Sequence, residues 1–206
     1  MRNLSFKSKT VNPNNLSACF FISLLILFIG IGCKKEKGIN ALPSATQEGK
    51  NTFGCLLNGK AFVPKGISPL FNPDGARILK STYSYVGNST PKYYFLSISA
   101  LRKGSGNVSE YVQLYIFNDF PIIAGKTYEL KRSKIDNRAE GNYLYANVVS
   151  ENSYDTQNQD YIGQISISKI DEVNQFVSGT FSFDAVNNKG EKIEIREGRF
   201  DVKYVR

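Results

Sequence analysis

From Thr52 to the end of the chain, apolar residues recur at every second position in short runs. No stretch there keeps the i, i+3, i+4, i+7 spacing of an amphipathic helix. A period of two puts successive side chains on opposite faces of a pleated strand, one face buried and the other wet. Tyr94, Leu96, Ile98 and Ala100 share one face of such a run, and Val112, Leu114 and Ile116 share another. Ile165 and Ile167 alternate with Gln164, Ser166 and Ser168, and Phe200, Val202 and Tyr204 align near the end. Turn chemistry separates the runs. Asn58-Gly59 lies between Thr52–Leu57 and Lys60–Val63, and a type I′ hairpin requires residues that tolerate positive φ at both of those places. Pro64 ends the second strand because it has no N–H to give to a ladder. Roughly ten short strands at this spacing predict one all-β antiparallel domain over 52–206, a β-sandwich with a β-barrel as the alternative.

The N-terminal segment has another character. Arg2, Lys7 and Lys9 precede an apolar run from Cys19 to Ile29. Gly30-Ile31-Gly32 then lead to Cys33, and Lys34-Lys35-Glu36-Lys37 follow. Basic, apolar and small, in that order, is the layout of a secretory signal. The apolar run is shorter than the roughly 20 residues a spanning helix needs. Residues 1–32 therefore read as a lipoprotein signal peptide, and Cys33 as the lipidated residue. Leu16-Ser17-Ala18-Cys19 has a better-shaped box, but a cut there leaves the apolar run attached. Two or more acyl chains, at about 0.8 kcal/mol per buried methylene, hold a protein at a membrane without a spanning helix. Residues 33–51 are polar and rich in turn formers, and read as the lipidated Cys and a flexible tether. The expected location is the cell envelope, lipid-anchored at the outer membrane, with the periplasmic or surface face left open.

Composition narrows the chemistry. The chain carries +8, but three of its 26 basic residues and none of its 18 acidic ones precede Cys33, leaving +5 on the remainder. Those charges are scattered, whereas phosphate binding wants a clustered basic face, so nucleic acid is not an expected partner. Beyond Cys33 only Cys55 remains, set among Phe53, Gly54, Leu56 and Leu57, which reads as a buried, inert thiol. Histidine is absent. That removes Ser-His-Asp and Cys-His catalysis and His-ligated zinc. No nucleotide motif is present, and no cofactor or metal is expected.

What remains is oxygen chemistry and surfaces. Asp119, Asp136, Asp155, Asp160 and Asp184 are the candidate carboxylates, since a pair at about 5 Å or 6.5–9.5 Å cleaves glycosides. The stretch Glu151–Asp160 collects oxygen ligands, but without the spacing of an EF-hand. Twelve tyrosines, among them Tyr83, Tyr85, Tyr93, Tyr111, Tyr115, Tyr143, Tyr145 and Tyr161 in expected strands, offer either an aromatic platform or ordinary packing. The stretch from Pro64 to Gly75 holds three prolines and reads as a loop, with Ile67, Leu70 and Phe71 as the possible ligand contacts.

The run Leu42-Pro43-Ser44-Ala45-Thr46-Gln47, then Thr52-Phe53-Gly54-Cys55, then Asn58-Gly59-Lys60-Ala61-Phe62-Val63-Pro64, resembles the opening of a family of small Bacteroidota lipoproteins of unknown function. Gly179-Thr180-Phe181-Ser182-Phe183 and Gly198-Arg199-Phe200-Asp201-Val202 resemble that family's close. The resemblance implies no catalytic role for these motifs. The expected function is a membrane-anchored envelope lipoprotein, a non-catalytic binding or structural module whose protein or glycan partner is unknown. The alternative is a carboxylate-based glycan hydrolase.

Overall fold

The computed structural model describes residues 37–66, 78–87, 93–104, 106–131, 138–147, 150–157 and 160–206. Cys33, the loop residues Ile67, Leu70 and Phe71, and Asp136 lie outside them. The described residues form β1 (Thr52–Leu57), β2 (Lys60–Phe62), β3 (Leu79–Val86), β4 (Tyr93–Lys103), β5 (Ser109–Asn118), β6 (Thr127–Leu130), β7 (Arg138–Ala146), β8 (Glu151–Asp155), β9 (Gly163–Asp171), β10 (Phe176–Val186) and β11 (Lys192–Lys203). One 3-10 turn, Gly38–Ala41, precedes them. The protein is all β, as the alternation predicts.

All eleven strands join one hydrogen-bonded sheet, in the order β2-β1-β11-β10-β9-β6-β7-β5-β4-β3, with β8 against β7 and β10. Strand pairing is antiparallel except where β6 meets β7 at Leu130 and Ala139, and the isolated bridges Lys65↔Arg102 and Thr82↔Val205 are parallel as well. The β1–β2 hairpin turns as its sequence predicts, with φ of 46° at Asn58 and 75° at Gly59. The two ends of the sheet are stitched by single residues. Lys65 donates to Leu101 O at 3.0 Å and accepts from Lys103 N at 2.7 Å. Val205 donates to Ser81 O and accepts from Tyr83 N, both at 3.0 Å.

One core cluster draws on nearly every strand. Phe53, Phe62, Leu96, Ile98, Val112, Leu114, Ile116, Leu130, Ile165, Ile167, Phe183 and Ile195 are its largest fully buried side chains. Burying one such side chain contributes roughly 1.5–3 kcal/mol. An exposed pair such as Lys50–Glu48 contributes about 0–1 kcal/mol, so the core decides the fold.

Three elements are not evident in the alternation of the sequence. Glu151–Asp155, the first half of the oxygen-rich stretch, is strand β8, paired with β7 from Asn142↔Asp155 to Ala146↔Glu151. β7 opens on the small core-facing residues Ala139 and Gly141. A Cβ on Gly141 would meet the Phe183 ring at 2.8 Å, so the ring supplies the volume that the small residues lack. β11 runs unbroken through Glu197, which takes φ 53° where the register with β10 shifts between Phe181 and Phe183.

The segment expected as a tether is docked over its last part. Leu42 and Gly49 are buried, and Thr46, Glu48, Gly49 and Lys50 all bond to Asp201 on β11.

Candidate functional site

The ladder rules show which backbone groups the sheet leaves over. In an antiparallel pair, alternate residues turn N–H and C=O toward the partner and the rest turn them away. Leu101 N donates to Ile78 O, which fixes the phase of the β3–β4 ladder: Lys80 and Thr82 face β4, while Leu79, Ser81 and Tyr83 face outward. Val205 takes Ser81 O and Tyr83 N. Among the described residues the Leu79 N–H and C=O and the Ser81 N–H find no backbone partner. On the opposite bank the two-residue hairpin fixes Leu57/Lys60 and Cys55/Phe62 as bonded pairs. The next pair in that series is Phe53 with Pro64, and Pro64 has no N–H to give. Phe53 thus turns its backbone groups away from β11 toward the same gap.

A cavity of about 830 Å3 fills this seam. Phe53, Val63 and Pro64 line one bank and Leu79 and Ser81 the other, with Tyr204 and Val205 across one end. Lys80 and Lys203 also line it; among the described residues no acid lines it, and neither lysine takes part in an ion pair. Ser81 is 6% exposed, and its hydroxyl has no hydrogen-bond partner among the described residues. A buried polar group left unpaired costs about 1–3 kcal/mol, so this hydroxyl is a feature that packing alone does not explain. Ile78, which also lines the cavity, and Gly66, two residues after the lining Pro64, flank the segment that holds Ile67, Leu70 and Phe71.

The family Domain of unknown function (DUF6252) matches residues 92–202. The chain belongs to it. No curated protein and no solved structure matches the chain. The DUF6252 match takes in β4 through Val202 of β11, whereas the seam's lining residues all fall outside it. The site is built where the two flanks of the family domain are folded back against one another. The opening Thr52–Pro64, which resembles lipoproteins of unknown function, also lies outside the matched residues.

The other candidates are placed as follows. Asp184 on β10 pairs with Lys192 at 3.0 Å and Arg196 at 2.5 Å. Burial pushes its carboxyl up, but these two cations outweigh it and hold it below the usual value. Asp155 bonds Asn142 and shares a cavity of about 110 Å3 with Glu140. Asp160 is exposed. No cluster of three or more metal-ligating His, Cys, Asp or Glu side chains occurs among the described residues.

The tyrosines divide between uses. Tyr93, Phe95, Tyr115 and Phe117 stack along the outer face of β4 and β5, with Phe95 and Phe117 at 4.8 Å and Arg138 at 4.4 Å over Phe117. Tyr85 and Tyr94 meet at 4.8 Å in a cleft of about 460 Å3 beside the Arg206–Glu172 pair. Tyr143 is buried, and its hydroxyl donates to Glu110 at 2.9 Å. Arg102 grips the same carboxylate with two bonds, at 2.7 and 2.9 Å, and stacks on Phe62. Burial raises Glu110, yet the bonds from Arg102 and Tyr143 prevail and its pKa is lowered. Cys55 is buried, and desolvation pushes its thiol up to about 12, as expected of an inert core residue.

Proposed function

We propose that this DUF6252 chain is a non-catalytic binding module of the cell envelope, anchored at the outer membrane through a lipid on Cys33, and that it binds at the seam cavity. The observation that carries the binding reading is the seam itself. Among the described residues it combines apolar walls, backbone groups without a partner on both banks, an unpartnered buried hydroxyl and two lysines with no acid. Its volume falls within the roughly 300–1,000 Å3 of ligand sites. The anchoring reading rests on the apolar run that ends at Cys33, and on an opening segment like that of Bacteroidota lipoproteins.

Glycoside cleavage needs two facing carboxylates. The pair that shares a cavity, Glu140 and Asp155, has about 110 Å3, well below the size of a ligand site. Among the described residues the seam and the tyrosine cleft carry one acid between them, Glu172, which is tied to Arg206. This arrangement favours binding over hydrolysis.

Two measurements test the proposal. Mass spectrometry of the mature N-terminus should find Cys33 acylated, and an unmodified Cys33 overturns the anchoring. Affinity capture from envelope extract should lose a component when the seam is filled by Val63→Trp. Identical captures by the wild type and the filled variant overturn the seam as the binding site.

A further inference from the structure

The seam is short as well as polar at its edges. Val205 closes it where Ser81 lies opposite Ile98, and Lys65 closes it at Leu101. At about 3.3 Å per residue, the stretch from Ile98 to Leu101 leaves about 10 Å, room for two or three extended residues. A continuous strand would have to leave through the backbone of both stitches, whereas a chain end enters from one side only.

The unpaired groups specify that end. Leu79 and Phe53 each offer a C=O as well as an N–H, so the occupant must carry both donors and acceptors in extended register. Peptide backbone does this, as when a segment adds to an exposed sheet edge. An acyl chain has no donor and leaves both carbonyls unpaired. Lys80 and Lys203, with no acid among the described lining residues, call for a negative charge at the terminus. The Ser81 N–H and hydroxyl are further donors on the same bank. Phe53, Val63, Pro64 and Leu79 call for an apolar side chain beside it.

We infer that the seam captures the free carboxylate terminus of an extended peptide that ends in an apolar residue. The inference rests on the seam being the binding site, and it names what that site takes. The probe is a fluorescein-labelled pentapeptide of alternating threonine and valine ending in leucine. Its binding to the full chain in detergent micelles is followed by fluorescence anisotropy. Saturable binding is expected. It should weaken roughly tenfold or more when the terminus is amidated, and again when the penultimate nitrogen is methylated, since each change removes a charged or backbone hydrogen bond. The Lys80→Glu/Lys203→Glu double variant, checked for an unchanged circular dichroism spectrum, should lose the same factor, and dodecanoate should fail to displace the peptide.

No saturable binding, or equal binding of the free and amidated peptides, overturns the inference. Full displacement by dodecanoate also overturns it, because the seam then takes any apolar carboxylate. Binding that appears only after residues 67–77 are replaced by a Gly-Ser linker assigns the seam to the chain's own segment and overturns it as well. Each of these results can occur while the Val63→Trp capture difference stands, so the ligand class and the site fail separately.

Discussion

At the scale of single residues, the fold depends on a few polar groups placed inside it. Asp201 accepts five hydrogen bonds, from the Thr46 and Ser178 hydroxyls and the amides of Glu48, Gly49 and Lys50. Burial alone would raise this carboxyl, but the bonds overturn that and hold it at about 2. A folded-state value below the unfolded one, near 3.9, means that the ionised form is bound more tightly in the fold. Its contribution, on the order of 2 kcal/mol, is full above about pH 4 and is lost as pH falls toward 2. Urea denaturation should show Asp201→Asn less stable by about that amount at pH 7, with the gap to wild type shrinking below pH 4. A gap constant down to pH 2 contradicts the clamp. Ser81 behaves in the opposite sense. Its hydroxyl has no partner, so Ser81→Ala should raise unliganded stability by about 1 kcal/mol, and a comparable loss would show that the hydroxyl is bonded. Cys55 should resist thiol labelling at pH 8 in the native protein and react once urea unfolds it. Rapid labelling of the folded chain contradicts a thiol held at about 12.

At the scale of elements, aromatic rings and glycines interlock across strands. A Cβ on Gly163 at the start of β9 would collide with the Cβ of Phe183 and the carbonyl of Ser182 on β10. Gly163→Ala should therefore cost about 1–3 kcal/mol by overpacking. A thermal melt unchanged from wild type would show that the two strands separate there without penalty. The same interlock explains what was legible in the sequence. Leu96 and Ile98 on β4, Val112, Leu114 and Ile116 on β5, and Ile165 and Ile167 on β9 stand at alternate places on the core face, and there alternation alone finds strand and face. The start of β7 carries Ala139 and Gly141 on its core face, because Phe183 reaches across to fill the layer, so its period is invisible along its own sequence. β8 hides for a related reason: its inward residues are Asn152 and Tyr154, and its neighbours rather than its composition make it a strand. The Asn58-Gly59 turn was legible because its chemistry is local. The Asp201 clamp was not, since the Thr46 hydroxyl and the carboxylate it meets stand 155 residues apart.

At the scale of the whole sheet, Lys65, beyond β2, bonds to β4 and Val205, beyond β11, bonds to β3, two single-residue stitches in one eleven-stranded sheet. The seam depends on which edges are left over after every other strand has paired, so no local motif announces it. Ile67, Leu70 and Phe71, read from the sequence as possible ligand contacts, lie outside the described residues, and the described lining comes from residues on either side of them in sequence. The β3 edge is open between the stitches, and amide hydrogen exchange of the unliganded chain, read residue by residue by NMR, tests this. Lys80 and Thr82, bonded to β4, should exchange slowly, while Leu79 and Ser81 between them should exchange roughly tenfold faster or more, giving an alternating pattern along β3. Equal protection of all four amides would mean that the edge is already paired, the seam closed, and the binding site misplaced.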